Sequence, residues 1–234
     1  MKPSPIDLDV YPPFAGFPPE GLKFLRQLKT RNTREWFASH RDEYIEFVKL
    51  PMESLIAALA APIEKIAPEM YVNPKKCMFR IHRDTRFSKN KDPYKTHVAA
   101  IFHPKGHWEE SAGFYLHIEP GEVFLGGGIY MPDGQQLKRI RAAIAAKPKA
   151  FLGIIKSARF IKTFGSLRGG QLSRAPLGYT PDDPMIEWLK YKQFFIAVVW
   201  KESAARRNDF VGRVAGVYKE MLPLVRFLNS ALHR

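Results

Sequence analysis

The stretch Gly113-Phe114-Tyr115-Leu116-His117-Ile118 alternates, with Phe114, Leu116 and Ile118 on one face. A period of two marks a strand with one face against a core. Pro120-Gly121 follows as a turn signal, and Glu122 to Tyr130 reads as the returning strand of a hairpin. Before the hairpin, Cys77 to His82 and Thr96 to His103 read as further strands, and after it the apolar run Phe194 to Trp200 reads as a buried one.

Helical spacing takes over on both sides. Phe17 is placed to staple a helix that starts near Pro18-Pro19-Glu20 and turns Leu22, Leu25 and Leu28 inward. Asn32 and Glu35 have capping-box spacing for a helix carrying Trp36 and Phe37, continued by Tyr44, Phe47 and Val48. Pro51 ends or kinks it, and Met52 to Ile66 forms another with Leu55, Leu59 and Ile63 inward. Asp133 with Gln136 caps a helix through Ala146, and Asp182 or Asp183 caps a short one through Tyr191. A final helix from Ser203 to Leu232 carries the stripe Phe210, Val214, Val217, Met221, Val225 and Leu228. The expected fold is α+β, a mostly antiparallel sheet flanked by N-terminal helices and a long C-terminal helix. Residues 1–16 read as an irregular arm and 17–234 as a single domain.

At 234 residues, 45% apolar, the chain has material for a sizeable core. It contains no run of the roughly 18 to 20 apolar residues a membrane span needs, and no apolar secretory segment near Met1. A lone cysteine, Cys77, excludes a disulfide within the chain and suits a reducing cytoplasm. The formal charge of +14 is concentrated in two segments. Lys75 to His97 holds eight Lys/Arg against two Asp, and Leu137 to Arg174 holds ten with no acid. Such asymmetry points to an anionic partner, against the plainer alternative of a solubilising basic surface.

The first basic segment contains Phe79-Arg80-Ile81-His82-Arg83-Asp84-Thr85-Arg86-Phe87-Ser88-Lys89-Asn90-Lys91-Asp92-Pro93-Tyr94-Lys95-Thr96. Cations crowded this closely repel one another unless solvent or an anion offsets them. Arg80, Arg83, Arg86, Lys89, Lys91 and Lys95 are therefore the expected ligand-binding residues, Arg as a planar fork and Lys as a point charge. Tyr94 is expected to position a ligand through its ring or hydroxyl, and Asp84 to orient an Arg or act as a base; these two are the weak catalytic candidates. The bland alternative is a surface loop braced by Asp84 and Asp92. Gly126-Gly127-Gly128 interrupts a strand, which argues for a bulge or close packing, or for close approach of a ligand at Gly127.

Other chemistries find less support. His97, His103, His107 and His117 fall near adjacent strands, but no cysteine pair, HExxH or carboxylate-rich loop accompanies them, so no metal is expected. Neither GxSxG nor a phosphate-cradling glycine pattern occurs. Trp36, Phe87, Tyr94 and Trp108 are available for stacking on single-stranded nucleic acid, although core packing is the commoner fate of such residues.

Several motifs resemble a known family. Phe24 to Leu28, Asn32 to Phe37, Arg80 to Lys89, Asp92 to Thr96, Gly113 to Tyr115, Gly126 to Gly128 and Pro176 to Tyr179 are similar to domain of unknown function 2461, over about residues 14 to 230. The resemblance implies a conserved hypothetical protein and carries no substrate or cofactor with it. From the residues, three functions stay open: a binder of a phosphate-bearing small molecule, with or without turnover; a nucleic-acid-binding module using 75–97 and 137–174; and a scaffold for an acidic partner.

Overall fold

The computed structural model describes residues 10–106 and 110–233. Residues 1–9 of the expected arm, together with His107 and Trp108, lie outside the described residues.

Helix α1 (Pro19–Thr30) begins with proline in its first turn, where a missing N–H removes no helical bond. Phe17, just before it, is buried as a staple requires. Helices α2 (Arg34–Ser39) and α3 (Arg41–Tyr44) follow, then a π-helical turn (Ile45–Lys49) and α4 (Leu50–Ile66). Pro51 does not end the helical path. It sits in the first turn of α4, directly after the wider π turn, which accommodates the donor that proline lacks. The cap of α2 is Thr33 rather than Asn32: the Thr33 hydroxyl accepts from the Trp36 amide at 3.2 Å.

The strand expected from Cys77 to His82 does not form. Asn73 caps a one-turn helix α5 (Pro74–Cys77), its Oδ1 accepting from the Lys75 and Lys76 amides at 3.0 Å each. Beyond it only single-residue antiparallel bridges occur, Met78 with Ala100 and His82 with Tyr94. Strands β1 (Val98–Phe102), β2 (Gly113–Glu119) and β3 (Glu122–Ile129) come next, β2 and β3 joined through Pro120-Gly121. Helix α6 (Gly134–Ala146) opens with the expected capping box of Asp133 and Gln136, and α7 (Pro148–Ile155) and α8 (Ala158–Phe164) follow. The short α9 (Ile186–Leu189) is not capped by either aspartate, because Asp183 accepts from the Met185 amide ahead of the helix instead. Strand β4 (Phe194–Lys201) precedes α10 (Phe210–Leu232). That helix starts later than Ser203, because Glu202–Arg206 winds as a 3-10 turn. The four strands form one antiparallel sheet in the order β1-β2-β3-β4, so the α+β reading holds.

Two compact units can be traced. The first comprises the described residues up to Phe102 with 115–124 and 199–215. Its core takes Leu22, Leu25 and Leu28 from α1 and Leu55, Leu59 and Ile63 from α4, with the Phe24 ring 5.3 Å from Trp36. The second comprises 103–114, 125–198 and the residues from 216 onward. There Phe114 stacks on Tyr218 at 4.5 Å and Phe151 meets Phe227 at 5.3 Å. Among the described residues no helix is long and apolar enough to cross a membrane.

Candidate functional site

Residues 81–95 fold back on themselves as a tongue. Its root is closed by two backbone hydrogen bonds of 2.8 Å, Arg83 N to Pro93 O and Lys95 N to Ile81 O. Tyr94 fixes that root. The residue is 6% exposed, and its ring stacks on Phe37 of α2 at 4.1 Å. Its backbone is held on both sides by Asn32, whose Nδ2 donates to the Tyr94 carbonyl and whose Oδ1 accepts the Tyr94 amide, each at 3.0 Å. Ring stacking and burial make Tyr94 an anchor of the tongue's root.

Three of the six cations turn toward nearby backbone carbonyls. Arg83 donates to the Asp92 carbonyl and to Ser88 Oγ, both at 3.3 Å. Lys91 donates to the Thr85 carbonyl at 3.0 Å, and Lys95 to the Arg80 carbonyl at 2.8 Å while lying 5.0 Å over the Phe79 ring. Asn90 and Asp92 pair at 2.9 Å. Arg86 forks onto Asp84 through Nε at 3.1 Å and Nη2 at 2.8 Å. The hydrogen bonds from Arg86 hold the Asp84 carboxyl at about 2. A general base works best with a pKa near the working pH, so Asp84 is a charge partner for Arg86 and a poor base. The six cations thus form no convergent clamp.

What the tongue presents outward is smaller and more specific. Among the described residues, the Arg80 and Lys89 side chains make no hydrogen bond or ion pair, and Arg86 is 78% exposed despite its partner. Phe87 is 95% exposed, with the Arg86 guanidinium 5.8 Å from its ring. In the second basic segment several cations are structural. Arg139 donates to Leu232 O at 2.9 Å, Arg141 to Leu189 O and Tyr191 O, and Arg159 pairs with Glu220.

Gly127 has a packing explanation. A Cβ there would come within 2.8 Å of Met221 on α10, and one on Gly128, at φ +129°, within 2.2 Å of the Phe194 carbonyl. The triglycine is the close-approach strand that its position suggested, packed against Met221 and the Phe194–Phe195 backbone. Cys77 is buried and burial raises its thiol to about 11, the behaviour of an inert cysteine.

A second cluster lies on the β2–β3 hairpin. On β2, Tyr115, His117 and Glu119 share a face by the period of two, and Glu122 opens β3 just past the turn. His117 Nε2 stands 3.4 Å from Glu122 Oε1 and 3.8 Å from Glu119 Oε1, yet it is buried without a hydrogen bond. Its Nδ1 meets the Tyr115 hydroxyl at 3.2 Å, and its ring lies flat on Phe124 at 5.2 Å. The His97 ring is 5.2 Å away. Burial lowers the pKa of His117, opposed by the two carboxylates; burial, His117 and Lys95 together lower His97 to about 4. Histidine spacing alone gave no hint of this cluster, since two of its members are glutamates; the hairpin register was the available signal.

The fold and these two features define an α+β protein with an antiparallel sheet and a basic tongue pinned to its N-terminal helices. The chain belongs to the family described as Conserved hypothetical protein (DUF2461), which it matches over residues 20–227. Comparison with curated proteins and with solved structures gives no match.

Proposed function

We propose that the tongue is a nucleic-acid-binding element, with Phe87 as a stacking platform and Arg80, Arg86 and Lys89 as phosphate contacts. The observation that carries this reading is the bare Phe87 ring between two exposed cations. Burying a phenylalanine is worth about 1.5–3 kcal/mol, so a solvated one at a loop tip suits a partner that covers it. Bases stack on any aromatic face, and neighbouring Lys and Arg follow the phosphate backbone. This is a binding role, and no reaction is assigned to it.

The test is titration of a fluorescent single-stranded oligonucleotide at two salt concentrations. Wild-type affinity is expected to fall with salt as counterions are released. Phe87→Ala should lose about 1–3 kcal/mol of binding, and Lys89→Ala should reduce the salt slope by about one. Salt-insensitive binding, or full affinity in Phe87→Ala, overturns the reading.

A smaller ligand is favoured by one separate observation. Lys95 is half-buried beside Arg80, and its pKa is lowered by burial and by the Arg80 charge. An anion between Arg80 and Lys95 would relieve that repulsion, which supports a phosphate-bearing small molecule at the tongue's root. A thermal shift with inorganic pyrophosphate or a nucleotide, abolished by Arg80→Ala, would mark this site; no shift with either compound rejects it.

A further inference from the structure

We infer that His117 Nε2, with one carboxylate oxygen each from Glu119 and Glu122, forms a binding site for a divalent first-row transition-metal ion. The three donor atoms lie within 4.8 Å of one another. The two distances from Nε2, 3.4 and 3.8 Å, are close to what a shared ion requires. In a tetrahedral site with ligands about 2.0–2.2 Å from the metal, neighbouring ligand atoms stand about 3.3–3.6 Å apart. Small rotations of the two glutamates close the remainder.

Three further features belong to a metal site more than to a plain ion pair. First, Nε2 is buried and faces carboxylate oxygens at 3.4 and 3.8 Å without a well-formed hydrogen bond to either. Second, the other ring nitrogen is engaged by the Tyr115 hydroxyl and the ring is clamped flat against Phe124. Ligand histidines characteristically have their second nitrogen held in this way, which fixes ring direction and tautomer. Third, the side chains of His117, Glu119 and Glu122 are 16%, 31% and 39% exposed, a gradient that leaves the carboxylate side open to solvent. An ion can enter there and keep a water in its fourth position.

The donor set selects the ion class. One imidazole with two carboxylates suits zinc, manganese, iron or cobalt, whereas calcium and magnesium prefer oxygen alone. His97 stands beside the cluster and outside the converging three. All the residues involved come from the first compact unit, and the site is independent of any role for the tongue.

The experiment uses the untagged full chain, stripped with a chelator, titrated with zinc by calorimetry and with cobalt by visible absorption. Saturable binding at one ion per chain is expected. Glu119→Gln and Glu122→Gln, which keep side-chain shape, should each weaken zinc by about tenfold or more. His117→Ala should abolish the cobalt absorption, and His103→Gln should leave both signals intact. If His117→Ala does not fold, the two glutamine variants decide alone. Absence of saturable binding in the wild type, unchanged affinity in the double Glu→Gln variant, or loss of binding in His103→Gln overturns the site.

Discussion

Asn32 and Tyr94, 62 positions apart, hold each other by two 3.0 Å hydrogen bonds, the amide group of one matched to the peptide groups of the other. This amide fork attaches the basic tongue to the turn before α2. Removing it leaves a part-buried N–H and C=O unpaired. Asn32→Ala should therefore destabilise the protein by about 1–3 kcal/mol, read from urea unfolding. Faster hydrogen exchange should appear at the Tyr94 amide, while Phe87→Ala, at the solvated tip, should change stability little. Equal exchange in wild type and Asn32→Ala would show that the tongue is held by other contacts.

Asp84 and Arg86 give a prediction of opposite sign. Asp84→Asn removes a negative charge and frees the Arg86 guanidinium, so oligonucleotide affinity should rise a few-fold at low salt. A fall in affinity would mean that the forked pair itself is what the ligand recognises. The Asp84 pKa is depressed, so its contribution is present above its ordinary 3.8 and lost only as pH falls through about 2. The pair is thus intact across the pH range in which binding would be measured.

The glycines of β3 respond to added bulk. Gly127→Val would press on Met221 and Gly128→Ala on the Phe194 carbonyl from a left-handed backbone. Each should cost about 1–3 kcal/mol, seen as a lower urea midpoint with an unchanged slope. Wild-type stability in Gly127→Val would show that Met221 has room to move aside.

His103 sets a stability slope at mildly acidic pH. Burial lowers its pKa to about 4 from an ordinary 6.5, so between those values the unfolded chain binds a proton that the folded chain does not. Stability is then full above pH 6.5 and falls as pH drops toward 4, beyond which this group adds no further loss. His97 acts with the same sign. Acidification from neutral pH should lower Tm by several degrees with chelator present, and His103→Gln should remove part of that dependence. An unchanged slope in the variant would assign the effect to His97 and the other groups.

The architecture was largely legible because its signals are periodic or local. The β2–β3 hairpin, the Asp133–Gln136 cap and the buried stripe of α10 all follow from residue spacing. Cys77 to His82 misled because Asn73-Pro74 imposes a helical turn, and because bridging at single residues does not need a full strand. At the tongue, cation density located the feature and missed its economy: which lysines face backbone carbonyls depends on how 81–95 folds back, and charge counting cannot see that. Spacing alone makes Asn32 a helix cap, because its actual partner, Tyr94, is distant in sequence. The His117 cluster was hidden for a related reason, its two carboxylates belonging to opposite sides of a turn.

Cys77 has a practical consequence. It is the chain's single cysteine, buried, with its thiol donating to the Tyr71 carbonyl and receiving the Asn73 amide. Thiol-directed reagents at neutral pH therefore meet an almost silent background. A cysteine placed at the exposed tongue tip, Asn90→Cys for instance, would take up one fluorophore or spin label there and keep Phe87, Arg80, Arg86 and Lys89. The distance and mobility of the tip, free and with an added strand, then become directly measurable on an otherwise unaltered chain.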